Sequence, residues 1–410
     1  MKLLIKFIQI IHKLNFVFKL PDQKKILIFD DVSFIDLKFV LKDFDFYLLK
    51  TRYESVEELI INPKIIIKSL IYYFKLKTIN IWTAYLIALI AYVSPKVIIT
   101  WSDNSLKFFE IAKILNDKIN FFAIQNGARY DFNRYKHHYK TGIYKKDFSK
   151  DFFIPNFFCF GKYEIDDYKK KKIEVKNFIP VGSLRLANYI FDKKINVLRK
   201  KDILYDILIV SDGFHHNSDR DLATKGEIKR IAQFVKFIIK YSLLNKKKII
   251  FSLKRLNSSQ KNLENEINFY KDNLNESEFS FFLKNSTINS KKYRYNTYDL
   301  MLKSNITVST YSTVIRENLS IGGKGVSINF MQNKIFDFPM EGICKITNCD
   351  YSTFERKLNK IFSMTDKEFT NNLIDKNYLM KFDIQNSAID QIRQEIKKFL
   401  IVEKKKMQLK

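Results

Sequence analysis

The chain has 410 residues, room for two domains with separate cores, and 46% of them are hydrophobic, which excludes a disordered chain. Its 72 basic against 44 acidic residues leave a net charge of +28, so the partner to expect is anionic: a phosphorylated small molecule, a membrane face or nucleic acid. No RNP, zinc-finger or helix-turn-helix pattern accompanies the charge, so nucleic acid is not expected as a partner. Cys159, Cys344 and Cys349 have neither metal spacing nor an even count for disulfides, which fits a reducing cytoplasm.

In chain order, MKLLIKFIQIIHKLNFVFKL at 1–20 sets Lys2, Lys6 and Lys13 among apolar residues. It has no long apolar core or small-residue cleavage site of a signal peptide, and it reads either as a basic amphipathic helix on a membrane or as a helix packed on its own domain. Short apolar runs then alternate with helical periodicity. KKILIFD (24–30), FDFYLL (44–49), KVIITW (96–101), INFFAIQ (119–125), NFFCFG (156–161) and NFIPVGS (177–183) read as buried strands. The uncharged stretch TINIWTAYLIALIAYVSP (78–95) is short for a membrane span and ends on Pro95, so a buried helix is expected there. NSLKFFEIAKIL (104–115) has the helical period.

A lysine-rich segment around 191–203 breaks the pattern and reads as a linker. Alternation restarts with YDILIVSDG (205–213), a helix near 226–244, KKIIFSLKR (247–255), a helix near 257–272, and EFSFFLK (278–284) as a further strand. A helix around 298–303, the strand NITVST (305–310), the helix STVIRENLSIG (312–322) and the strand KGVSINF (324–330) follow. The fold class expected is α/β, with two Rossmann-like domains facing a cleft, 1–195 and 196–410, the second carrying the C-terminal helices.

In open parallel sheets ligands gather beyond the carboxyl ends of the strands. Those ends carry Ser102-Asp103-Asn104, then Gln125-Asn126-Gly127-Ala128-Arg129, on the first half. On the second half they carry Ser211-Asp212-Gly213, Lys254-Arg255 and Tyr311-Ser312-Thr313, with Arg316 and Glu317 one turn further on. A glycine between two amides and a guanidinium lets backbone N–H groups approach a ligand, and Arg129 suits a carboxylate or phosphate. Asp103 either caps the helix at 104–115 or serves as a base or nucleophile. Ser312 and Thr313 either cap their helix or bind a phosphate at its N-terminus. Glu317 either pairs with Arg316 or another charge, or reaches a ribose hydroxyl. The pairs His137-His138 and His215-His216 point to different sides of any regular element, so no metal site is expected.

Taken in order, KLP-x3-KILIFDD, VIITWSDN, FFAIQNGAR, PVGSLR and VSTYSTVIRENL resemble bacterial surface-carbohydrate biosynthesis proteins, glycosyltransferases of the GT-B type. The C-terminal ITVSTYSTVIRENLSIGGKGVSINF is similar to the donor half of GT-B enzymes, and QNG resembles the polar turn facing the acceptor. The resemblance implies a nucleotide-sugar donor, a glycan or glycolipid acceptor, no cofactor or essential metal, and peripheral work on the cytoplasmic face of the membrane. Position at the strand ends places Asp103, Asn104, Gln125, Asn126, Gly127 and Arg129 in the catalytic set. Donor binding falls to Ser211, Asp212, Gly213, Lys254, Arg255, Tyr311, Ser312, Thr313 and Glu317. Asp103 and the basic pair lean towards a CMP-activated ulosonic acid such as Kdo. There is no His-Pro pair like that of CMP-sialate polymerising enzymes and no clear E-x7-E pattern of many retaining GT-B enzymes, so donor and stereochemistry stay open. A CDP-glycerol or CDP-ribitol phosphotransferase and a non-catalytic glycan-binding scaffold are the alternatives.

Overall fold

Strands covered on both faces read as unbroken apolar runs, and helices between them force parallel pairing. That is the architecture found in the computed structural model, which describes residues 15–31, 34–51, 58–77, 79–127, 152–195, 202–213, 225–254, 260–288, 294–331 and 337–407. The first half runs β1 (Asn15–Val17), β2 (Ile26–Phe29), β3 (Phe46–Leu49), β4 (Glu58–Ile60), α1 (Pro63–Leu76), α2 (Ile81–Val93) and β5 (Val97–Thr100). It continues through α3 (Leu106–Leu115), β6 (Asn120–Ile124), β7 (Phe153–Cys159), α4 (Lys162–Lys170), β8 (Glu174–Pro180) and α5 (Leu184–Asp192). The second half opens with β9 (Tyr205–Val210), α6 (Lys225–Leu244), β10 (Ile249–Leu253), α7 (Gln260–Asn273), α8 (Glu276–Lys284), β11 (Ser286–Ile288) and α9 (Asn296–Leu302). It closes with β12 (Ser304–Ser309), α10 (Thr313–Ser320), β13 (Lys324–Asn329), β14 (Lys345–Thr347), α11 (Tyr351–Ser363), α12 (Asp366–Asn371) and α13 (Ala388–Met407).

Two six-stranded sheets result, ordered β3-β2-β5-β6-β7-β8 and β11-β10-β9-β12-β13-β14, and every strand pair in them is parallel. In each sheet the chain order reverses once, between β2 and β5 in the first and between β9 and β12 in the second. Such reversals leave a crevice at the carboxyl ends, because successive connections depart to opposite sides. The short β1–β4 pair lies apart from both sheets.

Three features differ from expectation or resolve it. EFSFFLK is helical, within α8, because Asn275 and Glu278 form a capping box: Asn275 Oδ1 accepts from Glu278 N at 2.8 Å and Glu278 Oε2 accepts from Asn275 N at 2.9 Å. The strand follows it instead, as β11. Within the uncharged stretch at 78–95, Ile81–Val93 form α2, capped by Asn80 and largely buried in the first core. Among the described residues no helix is long and apolar enough to cross a membrane. The last helix, α13, is not part of the second half. Its stripe Ala388, Ile389, Ile392 and Ile396 packs into the first sheet's core beside Val97, Ile99 and Trp101.

The segment leading back to α13 lies tightly on the first half. Lys381 N donates to Phe160 O at 2.8 Å, and Lys381 Nζ donates to Pro180 O at 3.0 Å. Gly182, at φ +83°, has no room for a side chain, since a Cβ there would sit 1.9 Å from Lys381 O. A positive φ and a backbone contact together require glycine at that position.

The halves are also joined by buried charge. Arg316 of α10 forms a two-pronged pair with Glu164 of α4, Nη1 to Oε1 at 2.5 Å and Nη2 to Oε2 at 3.2 Å, with both side chains almost wholly buried. Asp36, in the turn after β2, takes Arg185 of α5 at 3.2 Å and Arg294 of the second half at 3.3 Å. Replacing one member of a buried pair strands the other charge at a cost of about 3–5 kcal/mol, whereas removing both costs far less. Arg316→Met should therefore lower the thermal midpoint sharply, and adding Glu164→Leu should restore most of the loss. A double variant as weak as the single one would show that the pair does not act as a unit.

Candidate functional site

On the first sheet, β5 and β6 are neighbours in register, so their exits share one rim. Ser102 N bonds Thr100 Oγ1 and Ser105 N bonds Ser102 O, both at 3.0 Å, which curls the chain at Asp103. Capping of α3 falls to Ser105, whose Oγ accepts from Phe108 N at 3.3 Å, not to Asp103. Asp103 is fully buried, and its Oδ1 accepts from Asn126 N at 3.4 Å. Asn126 Nδ2 in turn donates to Trp101 O at 2.8 Å. Asp103 and Asn126 are thus held against each other, with Asn104 beside them in the same turn.

Gln125 turns the other way. Its Oε1 accepts from Phe160 N at 3.0 Å, and its Nε2 donates to Gly127 O at 3.0 Å and approaches Glu164 Oε1 at 3.5 Å. Gln125 therefore ties the ends of β6 and β7 to the Arg316–Glu164 pair and sets the course of the turn through Gly127. Ala128 and Arg129 lie outside the described residues, as do Arg255 and the five histidines.

On the second sheet the chain reversal brings together the exits of β9 and β12. Asp212 Oδ2 accepts from Ser309 Oγ at 2.9 Å, Thr310 N at 3.1 Å and Tyr311 N at 3.4 Å. Burial pushes the Asp212 carboxyl above its ordinary range, and Lys254 with these three donors works against that rise. Ser211 Oγ donates to buried Glu266 and accepts from Gly213 N at 3.1 Å. Glu266 Oε1 also accepts from Lys254 N at 3.3 Å, and Lys254 Nζ donates to Asp212 O at 2.9 Å. The side chain of Lys254 is exposed, so a cation reaches solvent beside Asp212. Ser211, Asp212, Gly213, Lys254 and Tyr311, from the exits of β9, β10 and β12, are brought together in one hydrogen-bonded cluster.

Ser312 caps α10, its Oγ accepting from Val314 N at 3.4 Å, and Thr313 is the first residue of that helix. Glu317, expected at a ribose or on the surface, is instead buried at the junction of the halves. It takes the hydroxyl of Ser183, from the turn after β8, and that of Tyr298 at 3.1 Å on each oxygen. Arg316 is taken by Glu164, so Arg316 and Glu317 do not pair with each other.

The residues that this reading missed are Glu164, Ser183, Glu266, Tyr298 and Asp36. Ser183 and Glu164 do sit at strand exits, in PVGSLR and in CFGKYE, and following β7 and β8 to their ends would have found them. Glu266, Tyr298 and Asp36 carry no local signal. Among the described residues no three His, Cys, Asp or Glu side chains gather as metal ligands.

Burial also raises the Glu317 carboxyl above its ordinary range, with Ser183, Tyr298 and the two arginines pulling the other way. A raised carboxyl stabilises the fold below the ordinary Glu value of about 4.3, and that contribution is lost as pH rises through the higher folded-state value. Relative to Glu317→Gln, the wild type should therefore lose thermal stability as pH rises from about 4 through the raised folded-state value. Melting curves of the two proteins across that range check the sign, and a gap that stays flat or grows in favour of the wild type contradicts it.

No protein-family model matches the chain, and no curated protein matches it. Solved structures do. The UDP-GlcNAc 2-epimerase of Methanocaldococcus jannaschii, in complex with UDP-GlcNAc and UDP, superposes with TM-score 0.51 at 13% identity, over 91% of this chain and 99% of that one. The UDP-GlcNAc 2-epimerase of Neisseria meningitidis, bound to UDP-GlcNAc, gives TM-score 0.50 at 13% identity over the same shares. The wall teichoic acid polymerase TagF, soaked with CDPG, gives 0.44 at 12% identity over 92% of this chain and 90% of that one. The fold is thus the pair of Rossmann-like domains of GT-B-like proteins.

Proposed function

We propose that the protein is a GT-B-type glycosyltransferase of bacterial surface-polysaccharide or lipopolysaccharide biosynthesis. It takes a nucleotide-activated sugar, with a CMP-activated ulosonic acid such as Kdo as the favoured donor, and passes the sugar to a glycan or glycolipid acceptor. It works without an essential metal, peripherally, at the cytoplasmic face of the membrane. The observation that carries the reading is a pair of polar clusters at strand exits, one on each sheet. One is the Asp212–Lys254–Tyr311 cluster at the reversal of the second sheet, and the other is the Asp103–Asn126 rim of the first. The ligands named for the two epimerase structures support a nucleotide sugar as the ligand class.

In this reading the nucleotide lies on the second sheet. The Lys254 ammonium and the N-terminal end of α10 meet its phosphate, where a fixed cation and a helix dipole stabilise the departing negative charge. Ser211, Gly213, Ser312 and Thr313 shape that wall, and Asp212 fixes the Thr310–Tyr311 turn. Asp103 either deprotonates the acceptor hydroxyl in an inverting reaction or attacks the anomeric carbon in a retaining one. Asn104, Asn126, Gly127 and Arg129 position the acceptor and the sugar. Glu317 and Gln125 act on the site only by fixing its walls.

Titration with CMP, CDP and UDP and their sugars tests the ligand class. Lys254→Ala should weaken nucleotide affinity by about 1.5–3 kcal/mol, the worth of a hydrogen bond to a charged group. Because Ser105 holds the cap of α3, Asp103→Asn should leave folding and nucleotide affinity intact while turnover falls by roughly 10²-fold or more. Near-normal turnover in that variant removes Asp103 from the mechanism. Products separate the alternatives: an acceptor lengthened by a sugar, with free nucleoside mono- or diphosphate, means a glycosyltransferase; one lengthened by glycerol or ribitol phosphate, with free CMP, means the CDP-alcohol phosphotransferase; and an isomerised nucleotide sugar without acceptor means an epimerase. No nucleotide binding at all leaves the scaffold.

A further inference from the structure

The helix α1, PKIIIKSLIYYFKL, carries apolar residues on two opposite faces. Inward, Ile65 and Ser69 are buried, and Tyr72 and Leu76 pack against the first core. Outward, Ile67, Leu70, Ile71 and Phe74 follow the i, i+3, i+4, i+7 spacing of a single stripe, with Ile66 and Tyr73 along its border. All six are exposed, Ile67 at 59% and Phe74 at 69%. The stripe continues at one end onto Phe16 and Phe18, the latter 67% exposed and tied to the start of α1 by Asn62 Nδ2 donating to Phe18 O at 2.7 Å. At the other end α2 begins with exposed Ile81. Lone exposed apolar residues need no explanation, but a continuous aliphatic and aromatic stripe on a soluble surface marks something it binds.

Charge names the partner. Between residues 58 and 81 the sequence has Lys64, Lys68, Lys75 and Lys77 and one acid, Glu58. On the helical wheel Lys64, Lys68 and Lys75 lie on the seam between the inward and outward stripes. Lys68 lies over the Tyr92 ring at 4.7 Å, and exposed Lys19, which pairs with Asp22 at 3.6 Å, flanks Phe18. An apolar stripe edged with ammonium groups matches the boundary between acyl chains and anionic headgroups. A second copy of this surface would be equally basic and so offers no complementary charge. Residues 1–14 carry Lys2, Lys6 and Lys13 and no acid, so they match it no better.

We propose that the outward face of α1, extended by Phe16 and Phe18, is the surface that seats the protein on an anionic lipid bilayer. The helix lies in the interface with Ile67, Leu70, Ile71 and Phe74 among the acyl chains and the lysines at headgroup level. The proposal takes its partner from the membrane-face reading of the function but depends on neither the donor nor the chemistry. Lipid binding is measured without nucleotide, so either claim can fail alone.

The test is co-sedimentation of the full chain with vesicles of phosphatidylcholine alone and of phosphatidylcholine carrying about one third phosphatidylglycerol. The wild type should sediment with the anionic vesicles and be released as salt rises, because screening shortens the reach of surface charge. Ile67→Ser with Phe74→Ser should lower the affinity for those vesicles about tenfold or more. Both positions point into solvent, so melting temperature and nucleotide affinity should stay at wild-type values. Lys64→Gln, Lys68→Gln and Lys75→Gln together should flatten the salt dependence. Unchanged vesicle binding by the serine variant overturns the proposal in favour of another surface, such as residues 1–14. A wild type that ignores vesicles but dimerises through this face, with the serine variant monomeric in sedimentation velocity, overturns it in favour of a second copy.

Discussion

The relation between the two sheets depends on the buried pair of Arg316 and Glu164. Neither charge could stay in a dry junction alone, because desolvating an unpaired ion costs several kcal/mol. The two-pronged geometry fixes distance and angle at once, which a single hydrogen bond or an apolar contact would not do. Its value lies in orientation more than in net stability, since buried pairs often do no better than an apolar replacement. Gln125 joins the pair on one side, and Glu317 with Ser183 and Tyr298 makes a parallel bond one residue along α10. The same short helix therefore holds the halves together through its interior face and presents its N-terminal end to the crevice.

That arrangement constrains how the site can work. The Asp103–Asn126 rim belongs to the first sheet and the Asp212–Lys254 cluster to the second, so any reaction between them requires the halves to be in register. The returning chain adds a second tie, with Lys381 backbone lying against Phe160 and Gly182 and α13 completing the first core. A small slide at Arg316 would move the second cluster relative to the first rim, and misplacement on the order of 1 Å in a reacting geometry can cost about 10²-fold in rate. In the proposed reading, residues far from the chemistry thus set its geometry.

Much of this was legible in the sequence, for physical reasons. Parallel strands buried on both faces leave runs such as ILIF, VIIT and YDILIV, and the residues after them are the crevice by construction. Local chemistry misled where two readings share a signature. EFSFFLK has strand-like residues, yet Asn275 and Glu278 announce a helix start three residues apart. Asp103 stands where a cap belongs, but Ser105 is the cap. What the sequence did not disclose is partner choice over long distances. Nothing near Glu317 signals Ser183, and nothing near Asp36 signals Arg185 and Arg294. The i, i+3, i+7 stripe of α13 shows that it buries a face but not against which sheet.

The central claim is that a nucleotide sits at the reversal of the second sheet, against Asp212, Lys254 and the start of α10. Amide hydrogen exchange of the full chain with and without saturating nucleotide tests it most directly, because it reads position along the backbone. The account predicts slower exchange at 211–213, at 254 and at 311–315, with the Asp103–Asn126 rim changing only when the sugar is attached. Nucleotide binding that leaves those amides unchanged, or that protects a different set of strand ends, would contradict it.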